Sequence, residues 1–286
     1  MIEAALRYQT QGEDWLKRVA IGGGAMLLAF FVFIPIFTVY GYVLEVMRQV
    51  LRGDTDTPPE WGDYDIVQLS VNGAKGFAIL FVYGLVIGAV TLLPTGVLLL
   101  LAAVLRSAIL SAIGGVIGGV LYLVGAIAIA VVAPIMICNF LVKDDLSAGF
   151  DIDVLRTFVT NRTMLRAVGL AILVNFAVGI VSGVLGLTII GAPVGFVVSF
   201  VGLSAVAYIW ANGFADAYRE IHGELPEIPD GPTKMGADAD AGATATEADA
   251  DTTPSTPDDT VDGGTEASDT DDDVSGPDPT DGNRWD

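Results

Sequence analysis

Long apolar stretches alternate with short polar ones along this chain. Apolar residues fill 19–41, 76–142, 167–188 and 192–213, while polar residues cluster in 1–18, 54–75, 143–166 and everything after 223. A helix needs about 20 consecutive apolar residues to cross the hydrocarbon of a bilayer, so the pattern predicts an all-α, polytopic membrane helix bundle. The 67 residues from Gly76 to Val142 carry a single charge, Arg106. Two helices would be over-long there, whereas three fit with tight turns at Pro94-Thr95-Gly96 and around Gly114-Gly115 to Gly118-Gly119. About six spans result. A five-span alternative makes 107–142 one long helix and puts Arg106 in a turn.

The first span, 19–41, holds Pro35, which a spanning helix tolerates at the cost of a kink. Upstream, Thr10 and Glu13 read as a capping box opening that helix, and Trp15 with Lys17 and Arg18 suits the headgroup region. This stretch is too long and too mixed in charge for a cleavable signal. Downstream the helix continues through "EVMRQVLRG", with Gly53 as its stop. In the polar segment 143–166, Phe150, Ile152, Leu155, Phe158 and Val159 recur at helical spacing. They predict an amphipathic helix lying along the interface, capped by Asp151 or Asp153.

Two polar segments share a phrase. Tyr64-Asp65-Ile66 and Phe150-Asp151-Ile152 each follow a span with a proline, carry a Leu three residues further on (Leu69, Leu155) and lead to apolar segments parted by Pro-x-Gly. Both read as interfacial amphipathic helices of a duplicated unit, about 1–113 and 114–223. With three spans in each copy, the second inserts upside down, an arrangement common in transporters. In the six-span reading Arg7, Lys17, Arg18, Lys143, Arg156, Arg162, Arg166 and Arg219 share one face against Arg48, Arg52 and Lys75 on the other. The excess of basic residues marks the first face, and with it the C-terminal tail, as cytoplasmic in the cell membrane.

Composition sharpens this picture. The net charge is −20, yet residues 1–223 hold 15 acidic against 12 basic residues and residues 224–286 hold 19 against 2. The body 1–223 is a nearly neutral helix bundle, and 224–286, almost free of large apolar residues, is expected to be a disordered acidic tail. The acidity argues against nucleic acid as a partner, since phosphate recognition needs clustered Lys and Arg. The preference for Arg over Lys and the wealth of Asp resemble proteins of halophilic archaea.

Chemistry is sparse. The chain has one cysteine, Cys138, and one histidine, His222, so no intrachain disulfide and no His/Cys metal cluster can be assembled. Asp54, Asp56, Glu60 and Asp63 lack the spacing of a calcium loop. No nucleophile elbow, HExxH or phosphate-binding loop is present. Catalytic residues, cofactors and metals are therefore expected to be none. Among intramembrane polar residues, Arg106 is the ionisable group that the six-span reading places deep, a functional candidate on desolvation grounds; Asn175 suits a bridge between helices or a substrate contact. Small residues four apart, as at Gly84/Gly88, Gly114/Gly118 and Gly179/Gly183, favour close helix packing.

The stretch "GYVLEVMRQVLRGDTDTPPEWGDYDIVQLSVNGAKGF" resembles the hallmark of an archaeal membrane family, domain of unknown function 4013. Gly41, Tyr42, Arg48, Gly53, Pro58, Trp61, Asp63 and Gly73 occupy its places, and the likeness extends from about residue 5 to Tyr218. It implies a multi-pass membrane protein and carries no known activity. Candidate functional or packing positions are thus Arg106, Asn175, Asp65, Asp151, Gly41, Tyr42 and Gly53. The leading functional expectation is a non-enzymatic membrane assembly or envelope factor, with the lipid bilayer and a homo-oligomer or another membrane protein as partners. The alternative is a small-solute transporter or channel built from the inverted repeat, and an intramembrane enzyme comes third.

Overall fold

A computed structural model describes residues 1–229 and 231. The described residues form eight α-helices joined by turns and two short 3-10 segments, without a strand. Beyond Gly231 the expected acidic tail lies outside the described residues.

Helix α1 (Ile2–Tyr8) is followed by α2 (Trp15–Phe31) and α3 (Pro35–Leu51). The capping box expected at Thr10 and Glu13 does not form: the Thr10 hydroxyl donates to Arg7 O, and α2 opens after Asp14. The single span expected over 19–41 is two helices. Val32 takes an extended conformation after Phe31, and Pro35 is the first residue of α3. A proline at that position loses no hydrogen bond, because the first amides of a helix have no partner within it. Pro35 therefore starts a helix rather than kinking one.

The chain reverses at 32–34. Phe200 meets Gly22 of α2 and Tyr42 of α3, and Trp61, stacked on Tyr42, donates from Nε1 to Arg18 O at 3.1 Å. At 1.5 Å per residue, 17-residue helices are about 25 Å long, short of the ~30 Å hydrocarbon core. In α3 the buried charges Glu45 and Arg48 come within four turns of Pro35, so its apolar part is shorter still. The pair is a hairpin whose tip, Phe30 to Ile34, is exposed.

Four other helices are long and apolar enough to cross a membrane: α4 (Ile66–Val104), α5 (Ala108–Lys143), α7 (Arg162–Gly186) and α8 (Gly191–His222). They replace the expected count of about six. Over 76–142, two helices stand where the six-span reading expected three; one long helix after Arg106, with Arg106 in a turn, is what the five-span alternative expected. Pro94 lies inside α4, and the hydroxyls of Thr91 and Thr95 take carbonyls one turn back on either side of it. Of the glycines expected to make a turn, two face α4 from within α5, Gly118 against Thr95 and Gly114 against Leu99, while Gly115 and Gly119 meet nothing within 4 Å. The real turn is 105–107, where Arg106 adopts φ +49 and the Ser107 hydroxyl accepts from Leu110 N.

Helix α6 (Ile152–Val159) is the expected amphipathic helix. Its Phe158 is buried and stacks on Phe214 of α8, ring centroids 4.4 Å apart. The second amphipathic helix expected, after Asp65, is the opening of α4. Helices α2/α3, α4/α5 and α7/α8 are thus three hairpins whose turns lie at one end, while the polar segments gather at the other.

Candidate functional site

The polar segments join into one platform, assembled around the ends of α3, α5 and α8. Helix α3 ends because Gly53 turns at φ +90, a conformation costly for other residues. Asp65 then caps α4, accepting from Val67 N at 2.7 Å and Gln68 N at 3.4 Å. Asp151 caps α6 in the same way, accepting from Asp153 N at 3.1 Å and Val154 N at 3.4 Å. A 3-10 segment precedes each cap, Trp61–Asp63 in one case and Leu146–Phe150 in the other. The repeated phrase of the sequence is therefore a repeated local structure.

A chain of contacts puts both copies on the same side. The Tyr64 hydroxyl donates to Glu45 Oε1 at 3.3 Å; Glu45 faces Arg48 across 3.9 Å; Arg48 donates to Asp144 Oδ1 at 3.3 Å. Next to Asp144, Lys143 pairs with Asp151 at 3.0 Å. Glu45 and Arg48 are 4% and 3% exposed, so their charges depend on each other and on these partners, since an unpaired charge at that burial is strongly unfavourable. An inverted repeat requires the two phrases on opposite sides. The structure corrects that expectation: both lie on one side with the chain running in the same sense.

A second cluster fastens the N-terminal segment. Arg18, 2% exposed, donates to Gln11 O at 3.0 Å and Gln9 O at 3.3 Å and pairs with Glu60. Tyr42 is fully buried, its ring 4.2 Å from that of Trp61 and its hydroxyl within 3.1 Å of Gln9 Oε1 and 3.0 Å of Pro59 O. Tyr8 reaches Gln49 Oε1 at 3.1 Å. Burial raises the pKa of Tyr8 and Tyr64, with nearby negative charge adding to the effect; both stay protonated donors at any physiological pH. Asp145 and Asp151 are held below the usual carboxylate range by hydrogen bonds, from Ser147 in one case and from Lys143 and backbone amides in the other.

The start of the C-terminal segment also belongs to the platform. Leu225 packs on Gly53, Pro226 is buried, Arg52 donates to Pro229 O, and Gly231 lies beside Glu45 and Arg48. The body thus extends past the boundary at 223. Glu220 accepts from Asn161 and Thr163, tying α8 to the start of α7.

Below the platform, Gly41 and Gly73 let α3 and α4 touch through their backbones. A Cβ at Gly73 would lie 1.8 Å from Phe37 O, and one at Gly41 1.9 Å from Leu69 O. Arg106, expected deep in the membrane, is instead exposed in the α4–α5 turn at the far end. Among the described residues, Asn175 has no hydrogen-bond partner on another helix. It lines a cavity of about 570 Å³ walled by α2, α3, α7 and α8 and another of about 390 Å³ walled by α4, α5, α7 and α8. Trp210, its Nε1 buried without a partner, lines the second cavity. Cys138 is buried in α5, and His222 is exposed, stacked on Tyr218. Among the described residues no three His, Cys, Asp or Glu side chains group closely enough to hold a metal ion.

Sequence reasoning found Asp65, Asp151, Gly41, Tyr42 and Gly53, all of which shape the platform or its support. It missed Glu45 and Arg48 as a buried pair, although their i, i+3 spacing in an apolar helix was the available signal. A family model described as "Protein of unknown function (DUF4013)" matches residues 25–187. No curated protein and no solved structure matches the chain.

Proposed function

The chain belongs to the DUF4013 family, proteins of unknown function, and on that premise we propose that it is a non-enzymatic scaffold of the cell membrane, docking a partner on its polar platform. One observation carries this reading. The platform is built from four separate stretches of chain held by ionic contacts of its buried groups, Arg18 with the partly exposed Glu60, and Arg48 with the buried Glu45 and the exposed Asp144. Such a network fixes the shape of a surface and leaves the surrounding exposed charges for recognition.

The platform faces the cytoplasm. Of the 14 basic residues, two lie beyond the described residues, and of the remaining 12 only Arg106 lies at the turn end. Basic residues flanking the spans are retained on the cytoplasmic side, and the C-terminal segment leaves from that side. The preponderance of Arg over Lys and of Asp supports a salt-adapted archaeal source, in which the acidic residues after 231 act as a solubilising polyanion.

The test is photo-crosslinking in native membranes from probes at Ser147 and Thr157 on the platform and Thr188 at the turn end. A defined adduct at both platform positions, absent at Thr188 and lost with Arg48→Met, is expected. Identical adduct patterns at all three positions, insensitive to Arg48→Met, contradict the proposal.

A second reading, a small-solute transporter or channel, has one supporting observation: Asn175 separates two cavities on either side of α7. Solute flux into proteoliposomes that falls with Asn175→Leu supports it, and flux equal to that of empty liposomes across a broad solute panel removes it.

A further inference from the structure

A further cavity lies on the opposite side of the α2/α3 hairpin from Asn175. It is a groove of about 870 Å³ between α2 and the first turns of α4, with α3 as its back. Ile21 and Leu28 of α2, Phe37 of α3 and Val67 and Val71 of α4 line it. The Thr38 and Ser70 hydroxyls, 2.7 Å apart, satisfy each other on its floor, so the walls present little but hydrocarbon. The backbone contact at Gly41 and Gly73 closes it behind, and the wide exposure of Leu28, Ile34, Val67 and Val71 opens it sideways.

Its mouth is charged. Lys17, Arg18, Glu60 and Trp61 line the platform end of the groove. Arg18 and Glu60 neutralise one another, whereas Lys17 is exposed and has no ion-pair partner among the described residues. The titratable groups lining the groove therefore sum to a single positive charge, placed where the apolar walls end, with Trp61 at the same level. A site with an apolar slot open to the side and topped by one cation without an ion-pair partner among the described residues matches an anionic phospholipid, with its chains in the slot and its phosphate on Lys17.

We propose that the groove between α2, α3 and α4 retains one anionic phospholipid through Lys17. This inference does not depend on the docking role of the platform. The bound lipid fills the space between the short hairpin and the longer α4, covering the hairpin's apolar flank where no helix does.

Native mass spectrometry of the full chain, exchanged into nanodiscs holding equal phosphatidylglycerol and phosphatidylcholine, reads the retained lipid directly. One phosphatidylglycerol per chain is expected, preferred about tenfold, the scale of one charge-assisted phosphate contact. Lys17→Gln should bring the two lipids to parity with a lipid still retained. Val71→Trp, which fills the slot with a ring at a position that is already exposed, should abolish retention, while Leu93→Trp on the outer face of α4 should not. The proposal is overturned if the wild type retains both lipids equally or if Val71→Trp retains as much lipid as Leu93→Trp. Displacement by soluble glycerol phosphate as effective as by lipid also overturns it, because the apolar walls then contribute nothing.

Discussion

Gly73→Ala is the sharpest perturbation of the helix packing. The added methyl would stand 1.8 Å from Phe37 O and 2.6 Å from Gly41 N, where ordinary contact begins at 3.4 Å. Both obstructing atoms are backbone, so no side chain can swing away; α3 and α4 must separate by about 1.6 Å, the difference between 3.4 and 1.8 Å. That displacement takes the Thr38–Ser70 hydroxyl pair from 2.7 Å beyond hydrogen-bonding distance. Overpacking of this kind costs about 1–3 kcal/mol and the lost hydrogen bond about 0.5–1.5 kcal/mol, a total of about 1.5–4.5 kcal/mol. Gly88→Ala is the control, since no atom outside its own helix lies within 4 Å of its added methyl; it should stabilise α4 by about 0.5–1 kcal/mol through helix propensity. Unfolding by detergent titration, followed by far-UV circular dichroism, measures both. The reasoning fails if Gly73→Ala unfolds within 0.5 kcal/mol of wild type, a bound set by the effect of a neutral surface substitution, or if Gly88→Ala proves the more damaging of the two.

Other expectations follow from the platform. Arg48→Met leaves Glu45 buried without its guanidinium and should cost about 3–5 kcal/mol in the same titration; adding Glu45→Gln should recover much of that loss. Asp65→Ala removes the cap of α4 and should cost about 1 kcal/mol, with Asp65→Asn close to neutral. For Asp145 and Asp151, whose folded pKa values lie below their unfolded ones, the stabilisation is complete above the unfolded value of about 3.9 and is lost as pH falls further through the folded values. A midpoint followed from pH 7 to 2.5 should drop in that acid range, and the Asp145→Asn/Asp151→Asn variant should drop less; an identical pH profile refutes the assignment. Trp61→Phe keeps the stack on Tyr42 but loses the bond to Arg18 O, and should cost about 1 kcal/mol.

What the sequence revealed is what short-range physics decides. The apolar runs, the cap expected at Asp151 or Asp153 and found at Asp151, the amphipathic helix within 143–166 and the stop at Gly53 are set by residues within a few positions of one another, and each is present. Features that depend on distant chain were hidden. Pro35 is compatible with a kinked span and with a helix start, and only the platform contacts of Trp61 and Tyr42 choose the reversal. Pro94 and the glycines of 114–119 look like turn signals, yet the long α4–α5 pair absorbs them because its helices pack on each other there. With two helices rather than three over 76–142, Arg106 sits at a turn, as in the five-span alternative, and the two phrases fall at the same end of the bundle. Close packing was legible only in part: Gly114 and Gly118 do pack against α4, whereas Gly84, Gly88, Gly179 and Gly183 have no neighbour within 4 Å of an added Cβ, and the backbone contact between α3 and α4 joins Gly41 and Gly73, one glycine from each helix.

The central claim is that the polar segments share one side of the membrane while the three hairpin turns point to the other. Cysteine accessibility in sealed vesicles tests it, in a Cys138→Ala background with single cysteines at Thr55, Ser147, Arg106 and Thr188. The account predicts that Thr55 and Ser147 are modified from the same side by an impermeant reagent, and Arg106 and Thr188 from the opposite one. Modification of Thr55 from the side opposite to Ser147 would contradict it, because the first polar loop and the second could then not belong to one platform.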